Sequence, residues 1–120
     1  MAQAFTVLYV DDDHQVLETV AALLRAEGFR VLEASNALEA MRLIANERID
    51  VLFTDIVMPN RDGIELAKQA QQLRPDIRVI FATGYFSQAR DAETLGKLLF
   101  KPVRANEIRL AFDEMLQDAH

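Results

Sequence analysis

Two places in the chain put carboxylates where they could act as ligand or nucleophile. Asp11, Asp12 and Asp13 stand in a row, and Asp55 stands alone ahead of a Pro/Asn/Gly-containing stretch. Farther along come Thr83 with Gly84, and Lys101 with Pro102. Hard oxygen donors with no cysteine and no nearby histidine in the group select Mg²⁺, Mn²⁺ or Ca²⁺. Two or three carboxylates are too few for an all-protein Ca²⁺ cage. They suit Mg²⁺, which keeps several waters and shares a phosphate oxygen. Clustered carboxylates repel one another, and a cation relieves that repulsion. A lysine offers a point charge to a phosphoryl oxygen. The Thr83 hydroxyl and the Gly84 N–H suit another oxygen. Carboxylate, Mg²⁺, Lys and Thr together form a device for phosphoryl transfer to an aspartate, with the carboxylate as nucleophile.

That chemistry requires four distant segments to meet, and the hydrophobic pattern shows how. Short β-rich runs alternate with helical ones. Phe5–Val10 is apolar on nearly every side, as in a central strand of a parallel sheet covered on both faces. His14–Ala26 carries Val16, Leu17, Val20, Leu23 and Leu24 at helical spacing, and Gly28 stops it. Arg30–Ala34 is predicted as a strand. Ser35 or Asn36 caps a helix to about Asn46, with Leu38, Met41, Leu43 and Ile44 on its apolar side. Asp50–Thr54 is a third strand, and Met58–Gly63 a loop marked by Pro59, Asn60, Asp62 and Gly63. Ile64–Leu73 is a helix ending before Pro75. Ile77–Ala82 is a fourth strand, Ser87–Thr94 a weak helix, Leu98–Phe100 a short fifth strand. Arg104–Leu116 closes the chain as a helix with Ile108, Leu110, Ala111, Met115 and Leu116 mostly inward. The fold class is therefore α/β: a single doubly wound, flavodoxin-like sheet of five parallel strands, with helices on both faces and the fourth helix short or irregular. Right-handed crossovers place the crevice at the carboxyl ends of the strands, beside the switch point in strand order. Strand 1 ends at Asp11–Asp13, strand 3 at Asp55, strand 4 at Thr83–Gly84 and strand 5 at Lys101, so all of them arrive at one rim.

Composition narrows the classes of function. The 120 residues fit one domain, half of them apolar (51%). No apolar run approaches the roughly 18 residues of a membrane span. The start, Met1–Gln3, is unlike a signal peptide. With no cysteine there is no disulfide framework or thiolate metal site. A cytoplasmic setting is the expectation. The net charge of −6 argues against non-specific nucleic-acid binding.

The motifs YVDDD, TDIVMPNRDG around Asp55, ATG at Thr83 and FKPV at Lys101, each after a predicted strand, resemble the receiver domain of two-component response regulators over essentially residues 1–120. The resemblance implies that Asp55 takes a phosphoryl group from a histidine kinase, a phosphotransfer protein or a small donor such as acetyl phosphate. It implies Asp12, Asp55 and the Val57 carbonyl as Mg²⁺ ligands, with Asp11 holding a metal-bound water or the metal itself. It implies that Lys101 pairs with Asp55 and then with the phosphoryl group, that Gly84 helps bind that group, and that Thr83 carries the conformational signal. The only chemistry implied is the domain's own phosphorylation and dephosphorylation. Family members often have a cis bond at the position of Lys101–Pro102.

Three departures accompany the likeness. The span from Thr83 to Lys101 is shorter than usual by about one helical turn. Leu98 stands where many receivers carry a rotating aromatic, and Phe100 is expected in the core. The remodelled segment falls on the face through which many receivers dimerise or meet effectors. The resemblance implies a downstream effector or fused domain as the recipient of the signal.

Plainer readings stand beside several of these. Asp13 is expected to cap the first helix, Asp62 with Gly63 to serve a turn, His14 to be an exposed first-turn residue, and Thr54 to be a strand residue facing a helix. His120 is expected to be a loose terminus. Tyr85 either shields an acyl phosphate from water or anchors the short loop; Val57 is a second possible modulator of its lifetime. A Mg²⁺-dependent phosphohydrolase with an Asp nucleophile would carry a second Asp at the position of Val57. A flavin carrier would replace the three aspartates by a phosphate-binding loop. A constitutive pseudo-receiver scaffold would not need the intact acidic, hydroxyl and lysine set.

Overall fold

The computed structural model describes residues 5–58, 62–84, 92 and 94–117, with side chains to Met115. Pro59, Asn60, Tyr85, His120 and most of the weak helix expected over Ser87–Thr94 lie outside the described residues. The elements run β1 (Thr6–Val10), α1 (His14–Ala26), β2 (Arg30–Ala34), α2 (Ala37–Asn46), β3 (Val51–Asp55), α3 (Gly63–Leu73), β4 (Arg78–Thr83), β5 (Lys97–Phe100) and a closing helix, α4 (Ala105–Gln117). The strands form one parallel sheet in the order β2-β1-β3-β4-β5. The order reverses between β1 and β3, and the crevice of a doubly wound sheet lies there.

Alternation along the strands sorts the core into two halves. Val7, Tyr9, Val51, Phe53, Ile80 and Ala82 face α1 and α4, meeting Leu17, Val20, Leu24, Ile108 and Phe112. Leu8, Val10, Leu52, Val79 and Phe81 face α2 and α3, meeting Ala40, Ile44, Leu66 and Ala70. All five residues of β1 and of β3 are buried, as expected of central strands flanked on both faces.

Local chemistry sets the helix ends. The Asp13 carboxylate accepts from the N–H groups of Gln15 and Val16, capping α1 as expected. Gly28 closes that helix at φ +96°, a left-handed backbone in which glycine is favoured. Asn36 caps α2, and Glu39 reaches back to the Ser35 N–H and hydroxyl, a reciprocal cap. Asp62 caps α3 through the Glu65 N–H, so Asp62 and Gly63 open a helix rather than finish a turn.

Three side chains depart from expectation. Leu38 is 63% exposed, because Ala37, Ala40 and Ile44 set the inward stripe of α2 and one residue turns the chain by about 100°. Leu110 is 60% exposed for the same reason: Ile108, Ala111, Phe112 and Met115 face inward, and Leu110 falls between them on the outer side. Phe100, expected in the core, is 37% exposed, since it is the last residue of an edge strand and sits at the rim. Among the described residues no helix is long and apolar enough to cross a membrane.

Candidate functional site

Strand register builds the site. Val10 pairs with Thr54, so Asp11 emerges beside Asp55. Asp55 pairs with Ala82, and Thr83 follows one residue on. Thr83 pairs with Phe100, and Lys101 comes next, its N–H donating to the Thr83 carbonyl at 2.9 Å. In-phase parallel strands thus bring four chemistry-bearing segments, up to 90 residues apart, to one rim.

At the centre is Lys101, whose ammonium lies 3.0 Å from Asp11 Oδ2 and 3.0 Å from Asp55 Oδ2. Asp11 is fully buried, Asp55 nearly so, and Asp12 exposed. One carboxylate oxygen from each of Asp11, Asp12 and Asp55 can be chosen so that all three lie within 4.8 Å of one another. Asp55 Oδ1 accepts a long hydrogen bond from the Val57 N–H (3.3 Å). The bond Lys101–Pro102 is cis, as the resemblance implies. Thr83 is buried at the end of β4, and Gly84 is exposed with open space where a side chain would stand. Val57 is 41% exposed beside Asp55. His14 is exposed in the first turn of α1, and Thr54 is buried in β3 with its hydroxyl on the Asp55 carbonyl.

The electrostatics follow from too many anions in too little water. Burial pushes the Asp55 carboxyl above the ordinary carboxylate range; the Lys101 ammonium opposes this, while the Asp11 charge adds to it. Burial pulls Lys101 down, but its bonds to Asp11 and Asp55 outweigh this and hold it above the usual lysine value. The donor set fits a hard divalent cation: all-oxygen, clustered, over-supplied with negative charge, and open on the Asp12 side.

Two residues contribute to the site in ways the sequence pattern did not assign them. Tyr9, two residues before Asp11 and therefore on the same face of β1, donates its hydroxyl to Asp11 Oδ2 at 2.9 Å. The period-2 rule applied to YVDDD was the available signal. Gly63 is the other. Its N–H donates to the Ile56 carbonyl at 2.7 Å, and a Cβ there would overlap the Asp55 carbonyl oxygen. Only glycine allows α3 to start this close to the end of β3. Gly63→Ala is expected to push the β3–α3 junction away, costing about 2–3 kcal/mol in urea unfolding. It should also weaken divalent-cation binding, measured by calorimetry.

The comparisons agree with this geometry. A family model described as "Response regulator receiver domain" matches residues 7–113. The chain is 32% identical to the response regulator receiver protein CpdR of Brucella abortus, over 92% of this chain and 95% of that one. Its fold is similar to a CheY-like receiver domain of Methanospirillum hungatei (TM-score 0.88, 30% identity, 97% and 96% of the two chains). It is also similar to a Burkholderia pseudomallei response regulator whose structure holds a phosphorylated aspartic acid, a calcium ion and citrate (TM-score 0.80, 27% identity, 96% and 73%).

Proposed function

The chain belongs to the response regulator receiver domain family, and from that premise we propose that Asp55 is its phosphoacceptor. The observation that carries the reading is the placing of Asp55 within 3.0 Å of Lys101 and in one carboxylate cluster with Asp11 and Asp12. Its donor is the phosphohistidine of a histidine kinase or phosphotransfer protein, or a small acyl phosphate. An Asp55 carboxylate oxygen attacks phosphorus and a new O–P bond forms; from phosphohistidine the P–N bond breaks and the imidazole leaves with that electron pair, and from an acyl phosphate the P–O bond breaks and the carboxylate leaves. Lys101, already bonded to Asp55, follows the negative charge onto a phosphoryl oxygen. Thr83 and Gly84, on the neighbouring strand end, hold another, and the shift of Thr83 carries the signal outward. Asp11, Asp12, Asp55 and the Val57 carbonyl would hold Mg²⁺, which when bound offsets the charge of the carboxylates and the incoming phosphoryl group.

This reading makes the domain a switch that acts on itself: it turns over no separate substrate, works in the cytoplasm, and delivers its state to a partner or fused domain. A phosphohydrolase would need a general acid two residues past the nucleophile, and Val57 occupies that position. The Burkholderia neighbour, which carries a phosphorylated aspartic acid and a calcium ion, supports the same chemistry on a similar fold.

The test is incubation with acetyl phosphate and Mg²⁺ followed by intact-mass measurement. One base-labile phosphoryl group is expected; an unchanged mass would sink the reading. In a separate titration Asp12→Ala is expected to lower Mg²⁺ affinity by at least about tenfold. Unchanged calorimetric binding would mean that another ligand set holds the cation.

A further inference from the structure

Tyr9 is a fully buried phenol at the heart of an otherwise apolar face. Its ring meets Phe53 edge-on, centroids 4.9 Å apart at 77°, so its hydroxyl is a fixed donor rather than a roaming one. That hydroxyl and the Lys101 ammonium both donate to Asp11 Oδ2, at 2.9 and 3.0 Å. The Asp13 N–H donates to the other oxygen at 3.0 Å. Asp11 is completely buried, so any donor it loses is not replaced by bulk water. Lys101, by contrast, is shared with Asp55 and reaches both from a flexible stem.

We infer that Tyr9 is a positioning residue that frees Lys101 to change partners: its hydroxyl keeps Asp11 Oδ2 bonded when the lysine moves from Asp11 to a phosphoryl group on Asp55. The inference rests on the phosphoacceptor reading of Asp55. In the unmodified domain Asp11 Oδ2 has two donors. Once Lys101 turns away it keeps one. Without the Tyr9 hydroxyl the count falls from one to none, leaving this buried oxygen with no protein donor in the loaded state alone. Tyr9 therefore matters more after Lys101 moves than before. Phenylalanine removes only the hydroxyl and retains the ring packed on Phe53.

The experiment compares the unmodified domain with Tyr9→Phe in two calorimetric titrations: Mg²⁺ alone, then beryllofluoride, a phosphoryl mimic, at saturating Mg²⁺. The variant is expected to bind beryllofluoride about tenfold more weakly, and to lose less in Mg²⁺ affinity than in beryllofluoride affinity. Equal beryllofluoride affinities would overturn the inference. So would equal losses in both titrations, because the hydroxyl would then serve Asp11 alike in both states. An unmodified domain that takes up Mg²⁺ but no beryllofluoride, and gains no phosphoryl group, would overturn the Asp55 reading and this inference with it. A measurement on the unmodified domain covers a variant that fails to fold. The Tyr9 hydroxyl proton should remain slow to exchange by NMR after loading with Mg²⁺ and beryllofluoride; its loss on loading would overturn the inference.

Discussion

Asp55→Asn is expected to abolish the gain of a phosphoryl group from acetyl phosphate and Mg²⁺, and at the same time to make the metal-free domain more stable. The first effect follows from chemistry: a neutral amide oxygen is a far weaker nucleophile than a carboxylate, and Asp11, the other carboxylate bonded to Lys101, is completely buried. Intact mass reads it directly, and a phosphoryl group persisting on the variant would move the acceptor elsewhere. The second effect follows from burial. Asp11 and Asp55 share one ammonium, and desolvation holds the Asp55 carboxyl above its ordinary value of 3.8. The folded state therefore binds more protons than the unfolded chain across the window above 3.8. From this group, stability is highest below that window and is lost as pH rises through the folded pKa. The substitution removes both the penalty and its pH dependence. Thermal unfolding at neutral pH in the presence of a chelator should shift upward by a few degrees, on the order of 1 kcal/mol. A lower Tm in the variant would mean that the Lys101–Asp55 bond outweighs the crowding of charge.

Lys101→Met should do the opposite to stability. It leaves Asp11 and Asp55 as buried carboxylates with no cation between them. Breaking a buried pair from one side costs roughly 3–5 kcal/mol. The Lys101 side chain is 26% exposed, so solvent screening brings the expected loss just below that range, to about 2–3 kcal/mol, in metal-free buffer at neutral pH. Two conditions should recover part of the loss. Mg²⁺ replaces the missing positive charge, and lower pH protonates Asp55. Urea unfolding with and without Mg²⁺, repeated at two pH values, checks this; a loss indifferent to both would show that the methionine disturbs packing rather than charge. Phosphorylation of the variant should slow sharply, because the phosphoryl oxygens lose their nearest ammonium.

The opposed signs of these two substitutions reflect one fact about the site. It is assembled from groups that would not choose to be together, and the sheet forces them to be. The apolar strands, the helix caps and the glycine at the end of α1 are ordinary folding chemistry. They hold three carboxylates and an ammonium at a rim where the carboxylates repel.

Much of this was legible from residues alone. The strand and helix segments followed from hydrophobic spacing, and α1 and β2 fall where the pattern placed them. Asp13 was expected to cap and does. The misplacements have a common cause. Leu38, Leu110 and Phe100 are apolar, and type alone assigned them inward. The angle around the helix decided two of them, and the end of an edge strand decided the third. The boundary of β3 moved by one residue, carrying Asp55 from the loop into the strand's last position, which makes its backbone as fixed as the sheet.

By itself the sequence determined the chemistry available: carboxylates, a hydroxyl and a lysine, each just after a β-forming run, because local pattern dictates where strands end. What only the tertiary structure decided is who touches whom. Parallel register set Asp11 beside Asp55, and the third dimension let one Lys101 ammonium serve both. It also turned Tyr9 from a core aromatic into a donor to Asp11, and made Gly63 the residue that lets α3 begin against the Asp55 carbonyl. Spacing along a chain names the groups that can react. Contacts across strands, which no local pattern encodes, determine how their charges are shared.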